Sequence, residues 1–344
     1  MKMDFGIGTG RNEPIWEIAG MSHLADELGF THLTFIDSQN LSRDVYSMMA
    51  IAALNTRSIK IGHGVTNPVT RHPSVTANAT ATVNELSGGR AFIGIGVGFS
   101  AVYTMDMNPR PQQERIDAIK FFRKYMAGEE AEFKGAKMHS EWIRKPVPIY
   151  MGANGPRSLK LAGEYGDGAI ITGVHPELIK WKMEMVHKGA EKAGRDPSKV
   201  DIWARTMCFV AESKEKARRE VASYAATNAT GIYKASFARK TPELEELHRR
   251  MERLEPGISE ELRRVGEAYD SYQHERTDAP HGSLATQRII DMTMLTGTPD
   301  DICEQITKLG DIGIKTVSMT FYTIINKKAM LKEIADKILP SFRN

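Results

Sequence analysis

Short runs of β-branched and other apolar residues alternate with helical periodicity along most of the chain. Period-two apolar stretches predict strands at 3–9, 31–36, 59–66, 91–97, 147–151, 168–172, 199–210 and 315–321. Apolar residues at helical spacing predict helices at 15–28, 45–54, 74–86, 112–126, 157–165, 176–193, 214–226, 299–311 and 328–339. The rhythm breaks between Asn228 and Arg288, where alternating charge dominates and two amphipathic helices, 242–254 and 259–272, are predicted. That stretch is expected to be a helical insertion, 228–288, within one domain covering 1–344.

Strands and helices that alternate without a visible linker predict an α/β chain, specifically a (β/α)₈ TIM barrel, with an open doubly wound sheet as the alternative. In a barrel the chemistry sits at the carboxyl ends of the strands. The segments to inspect are therefore Gly8 to Gly10, Asp37 to Gln39, Gly64 to Asn67, Gly96 to Ser100, Gly152 to Gly155, Thr172 to Val174 and Phe321 onward.

The fifth strand end is the most pointed of these. In YMGANGPRS, a turn of Gly152, Ala153, Asn154 and Gly155 runs straight into Pro156, which loses nothing as a first helical residue. The free N–H groups of such a turn and helix start suit a phosphate or carboxylate, and Arg157 and Ser158 add a charge and a hydroxyl. Close strand–helix packing is the alternative explanation of the glycines, with anion binding the favoured one. At the third strand end, IGHGVTNP places His63 between Gly62 and Gly64, followed by Val65, Thr66 and Asn67. At the fourth, Gly94, Gly96 and Gly98 leave bare backbone along one face. This is not GxGxxG before a helix, so a Rossmann site is weakly supported. Asp37 is a carboxylate at the barrel mouth or a cap of its own turn; His63 is a proton-transfer candidate or a packed side chain, and His72 is in the same position.

Composition narrows the function classes. The chain has 344 residues, is 41% apolar and 26% charged, and carries a net charge of +3 with the two signs interspersed, so no basic face for nucleic acid is expected. No apolar run is long enough to span a membrane and no export leader opens the sequence, so a cytoplasmic protein is expected. Cys208 and Cys303 lack zinc or CxxC spacing and are expected to be two buried thiols; no HExxH, HxH or carboxylate cluster predicts a metal.

The segments 43–73, 85–98, 147–170, 187–202 and 297–302 together resemble the luciferase-like flavin and deazaflavin oxidoreductases, and within them the coenzyme F420-dependent methylenetetrahydromethanopterin reductases. The resemblance implies a barrel, coenzyme F420 as hydride carrier, a small organic substrate with a pterin among the candidates, and a homodimer or larger assembly. It also implies that the turn at Gly152 to Gly155 holds the phosphate of the cofactor side chain and that Gly64–Val65 is a cis peptide backing the ring. Asp37 and His63 become candidate catalytic groups. Two departures stand out: the acidic residues expected near the first strand end are replaced by Gly6 to Gly10, and an expected Asp-His pair is Asp37-Ser38. An FMN-dependent two-component monooxygenase and a non-catalytic flavin-binding protein are the alternatives. The insertion is expected to choose the substrate and to be dispensable for cofactor binding.

Overall fold

The computed structural model describes residues 1–11, 13–109, 111–269, 280–321 and 326–343. Eight parallel strands close on themselves: β1 (Asp4–Thr9), β2 (His32–Phe35), β3 (Lys60–His63), β4 (Ala91–Ile95), β5 (Ile149–Gly152), β6 (Gly168–Thr172), β7 (Asp201–Val210) and β8 (Thr316–Thr320). Each pairs with the next, and β8 returns to β1 with Asp4 opposite Thr316. A short strand, Leu295–Gly297, joins the upper part of β7 opposite Cys208, and Ala131–Phe133 with Ala136–Met138 forms a separate hairpin. The (β/α)₈ barrel predicted from the alternation is the fold.

The strands are buried on both faces, as a barrel inside a ring of helices requires. Alternate residues of β1 to β8 pack outward in the large core shared with the helices. Inside the barrel a distinct cluster of Phe92, Tyr150, Ile170 and Trp203 fills the lower part, with the His32 ring 4.4 Å from that of Trp203. Further along the same strands the inward positions become Gly64, Gly96, Gly152, Thr172 and Arg205, and a cavity opens above the aromatic plug. The helices start cleanly for local reasons. Pro73, Pro156, Pro176, Pro242 and Pro299 all stand in the first turn, and Thr298 with Asp301 forms a reciprocal capping box.

Several expected boundaries move. β3 ends at His63 rather than Thr66: Gly64 N–H donates to Phe35 O, the chain turns through a cis Gly64–Val65 peptide, and Thr66 returns only as an isolated bridge to Ile95 of β4. The helix predicted to stop at Ala226 continues as Lys214–Ile232 into a π turn, Tyr233–Phe237, so the loss of periodicity at Asn228 falls inside a helix. Pro242–Leu254 is present as predicted. The next helix is Ile258–Ala268, and residues 270–272 of its predicted span lie outside the described residues. The short helix Phe99–Tyr103 and the helix Gln287–Thr293 have no counterpart in the sequence prediction. Cys208 is buried and Cys303 only partly so; the two are not bonded. Among the described residues no helix is long and apolar enough to cross a membrane, and no group of His, Cys, Asp and Glu could hold a metal.

The helices Pro156–Tyr165 and Pro176–Lys192 meet backbone to backbone. A Cβ on Gly189 would overlap the Lys160 carbonyl, and one on Gly163 the Val186 carbonyl. Gly189→Ala is therefore expected to lower stability by about 1–3 kcal/mol through overpacking. Gly231→Ala, in a helix where a Cβ meets nothing within 4 Å, should raise stability by roughly 0.5–1 kcal/mol. Urea midpoints of the two variants check the pair, and equal shifts of one sign would refute the close-contact explanation.

Candidate active site

The cavity at the carboxyl ends of the strands has a volume of about 310 Å³, at the lower end of the ~300–1,000 Å³ of ligand sites. Its walls include Asp37 and Ser38 after β2, Gly64 and Val65 after β3, Gly96 to Ala101 after β4, Gly152 to Asn154 at β5, Ile170 and Thr172 on β6, Arg205 on β7, and Tyr224. Val65 shapes it. A Cβ on Gly96 would lie 2.6 Å from Val65 Cγ2, and Cβ atoms on Gly94 and Gly152 would lie 3.2 and 3.4 Å from its methyls. Gly96 thus makes room for the bulge of Val65, whereas Gly94 is kept bare chiefly by the His63 carbonyl packed against it. Gly98, with φ of 76°, occupies left-handed backbone, and a Cβ there would sit 2.6 Å from that of Asn67.

Asp37 is buried and heavily engaged. Arg71 Nη1 donates to both carboxylate oxygens at 2.7 and 2.6 Å, Thr66 Oγ1 donates at 2.6 Å, and Gln39 Nε2 at 3.2 Å. It ties the β2 and β3 loops together at the cavity wall. His63 lies elsewhere. Gly62 and Gly64 take the inward positions of the third strand end, so strand alternation turns His63 to the helix layer, where its ring meets that of Tyr46 at 5.2 Å. It is fully buried, burial pushes its pKa down to about 4, and it does not line the cavity. The expectation of a catalytic His63 is corrected on that geometry. His72 is a helix cap, its Nδ1 accepting from Ser74 N–H at 3.2 Å.

The β5 turn divides likewise. Gly152, Ala153 and Asn154 line the cavity, whereas Gly155, Arg157 and Ser158 do not, nor do Thr66 and Asn67. Arg157 is exposed, and Ser158 Oγ donates to the Gly155 carbonyl at 2.9 Å. Ser236 Oγ donates to Asn154 O at 3.2 Å, and the Ala235 carbonyl would lie 3.0 Å from a Cβ on Gly155. Residues of the supposedly dispensable segment therefore press on the turn itself, which argues against the expectation that 228–288 can be removed with cofactor binding intact.

Other residues of the site carry signals that the sequence prediction passed over. Arg205 stands at an inward position two residues after Trp203 in β7 and donates to the Gly64 carbonyl at 2.6 Å. A charged residue in a strand buried on both faces is the signal that could have found it. Glu13 lies just beyond the first strand end: it accepts from Thr9 Oγ1 at 2.7 Å and from Gly10 N–H at 3.0 Å, and pairs with buried Lys327. It supplies an acidic group near the strand end where Gly6 to Gly10 has none, although it does not line the cavity. Among the described residues the lining has no cysteine, lysine or histidine, and so no covalent nucleophile of those kinds. The arrangement is suited to holding a flat ligand noncovalently against backbone, with one cation, one carboxylate and several hydroxyls around it.

The description of luciferase-like monooxygenases matches residues 3–316. The chain is 34% identical to a 5,10-methylenetetrahydromethanopterin reductase of Methanolobus tindarius, over 98% of this chain and 100% of that protein. It is 33% identical to a protein of the same name from Archaeoglobus fulgidus, over 99% and 100% respectively. The solved coenzyme F420-dependent tetrahydromethanopterin reductase of Methanopyrus kandleri superposes with a TM-score of 0.75 at 24% identity, covering 99% of this chain and 100% of that one, and so shares the fold. The chain belongs to the luciferase-like monooxygenase family.

Proposed function

We propose that the protein is a coenzyme F420-dependent oxidoreductase that moves a hydride between reduced deazaflavin and a small organic substrate, with methylenetetrahydromethanopterin as the substrate to test first. The observation that carries this is the end-to-end likeness to proteins named as methylenetetrahydromethanopterin reductases. The cavity fits a flat tricyclic ring: Gly96 and Gly152 face it without side chains, and Val65 stands behind it as a backing. Bound there, a reduced deazaflavin supplies hydride chemistry. The chain's own residues do the placing. Val65 and the glycines set the plane of the ring, Arg205 offers a cation at its edge, and Gly152 to Asn154 hold the phosphate of the side chain. Asp37, fixed by Arg71 and Thr66, orients the loops that face the substrate. The helical segment within 228–288, which touches the β5 turn through Ser236 and Ala235, selects the substrate. Assembly as a homodimer or larger, in the cytoplasm, belongs to the same proposal.

Purified protein titrated anaerobically with oxidised F420 and with FMN is expected to bind F420 and to turn over with the pterin when oxygen is absent. Oxygen-dependent turnover on FMN with F420 ignored would transfer the case to the monooxygenase alternative. Gly96→Ala should drive Val65 toward the ring and weaken cofactor binding by about tenfold or more, about 1.4 kcal/mol, while circular dichroism stays normal. Unchanged affinity would mean that Val65 does not back the ring. Removing Asp37 leaves Arg71 without its buried partner, so Asp37→Ala should cost roughly 3–5 kcal/mol of stability in chemical denaturation, whatever it does to turnover.

A further inference from the structure

Lys182 lies on the buried side of the helix Pro176–Lys192, with no solvent exposure. Its ammonium donates to Asn154 Oδ1 at 2.8 Å and to the Thr172 carbonyl at 2.7 Å, both neutral acceptors. Asn154 Oδ1 also accepts from Thr172 N–H at 2.9 Å, so the amide oxygen is fully used and its NH₂ is directed to Thr172 Oγ1 at 3.3 Å. Having accepted there, Thr172 has its own O–H to donate. Asn154 and Thr172 both line the cavity. A relay of donors therefore runs from a buried cation through an amide and a hydroxyl to the cavity wall, each polarising the next.

A buried cation without a counter-charge is costly, and burial alone pushes the Lys182 pKa down to about 7. Several charges of the elements packed on it are matched with one another. Lys160 pairs with Glu243, Glu164 with Lys192, and Arg250 with Glu177, Glu184 and Glu246. Asp301 of the helix Pro299–Asp311 is bound in its capping box, Asp196 holds Ser198, and β6 carries no charge. Among the described residues no carboxylate pairs with Lys182, whose bonded partners, Asn154 and Thr172, both face the cavity.

We infer that Lys182 is the buried counter-charge for a phosphate of the bound cofactor, a positioning residue that acts through Asn154 and Thr172. The inference rests on the cofactor assignment proposed above. A phosphate in place favours the ammonium and raises its pKa. In the free protein Lys182 is neutral above about pH 7, so binding takes up a proton and affinity falls as pH rises; well below pH 7 it is charged in both states and affinity is flat.

The test measures dissociation constants for F420 and for its phosphate-free deazaflavin chromophore, from about pH 6 to about pH 9, with wild type, Lys182→Met and Lys182→Gln. Gln keeps a neutral donor for the Thr172 carbonyl and removes only the charge, and thermal unfolding confirms that each variant is folded. Wild-type affinity for F420 should weaken by up to about tenfold per pH unit above about pH 7. Both variants should bind F420 about 10- to 100-fold more weakly at low pH and lose the slope, with the phosphate-free chromophore hardly affected. Wild-type affinity in Lys182→Gln with the slope intact, or equal loss for both ligands, would overturn the inference. If wild type ignores F420 and binds FMN, the cofactor assignment fails, and FMN against riboflavin, at a pH where the phosphate is fully ionised, tests Lys182 on its own. Binding of neither pair overturns both.

Discussion

One side chain decides the interior of this barrel. Val65, carried inward by the turn after β3, occupies the space that a Cβ on Gly96 would take, while the neighbouring Gly94 gives way chiefly to the His63 carbonyl. With any larger residue in place of Gly96 the bulge has no room, and without the bulge Gly96 would leave a void in a close-packed wall. The arrangement holds the mouth open above the plug of Phe92, Tyr150 and Trp203, and it fixes the Gly64 carbonyl where Arg205 can donate to it. The shape of the cavity wall and the bare backbone at Gly96 both depend on this contact.

Charge is distributed unequally around the cavity. The carboxylates near the mouth, Asp37 and Glu13, are bound to Arg71 and Lys327 and serve the loops. Lys182 instead meets a carbonyl and an amide oxygen. A cavity with such a cation behind its wall favours an anionic ligand over a cationic one. The modest overall charge of +3 conceals this local bias.

The barrel was legible in the sequence because strand and helix periods differ and their alternation survives single exceptions. Gly96, Gly152 and Asp37 were legible too, since they stand at strand ends, where barrel sites occur. His63 misled because its inward glycine neighbours were read as framing it, whereas period-two alternation puts neighbours on opposite faces. Arg205 and Lys182 were hidden inside strongly apolar runs, WARTM and LIKWKMEMV, whose hydrophobicity identifies the element and masks the exception. Glu13 could not be placed from spacing, because it returns to Thr9 and Gly10 through a loop. The segment after Asn228 looked separable because its charge pattern changes; the contact of Ser236 with Asn154 is long-range and leaves no periodic trace.

The backbone contact between the helices Pro156–Tyr165 and Pro176–Lys192 reaches beyond stability. The first helix begins at the turn that faces the cavity, and the second carries Lys182 beneath that turn. Gly163 and Gly189 lie so close to opposing carbonyls that the two helices pack backbone against backbone, with no side chain between them at these points. Turn and cation therefore form one stiff bracket whose spacing is set during folding, before any ligand arrives. An anion entering it has little ordering left to impose, so the entropic cost of assembling its donors falls on folding rather than on binding.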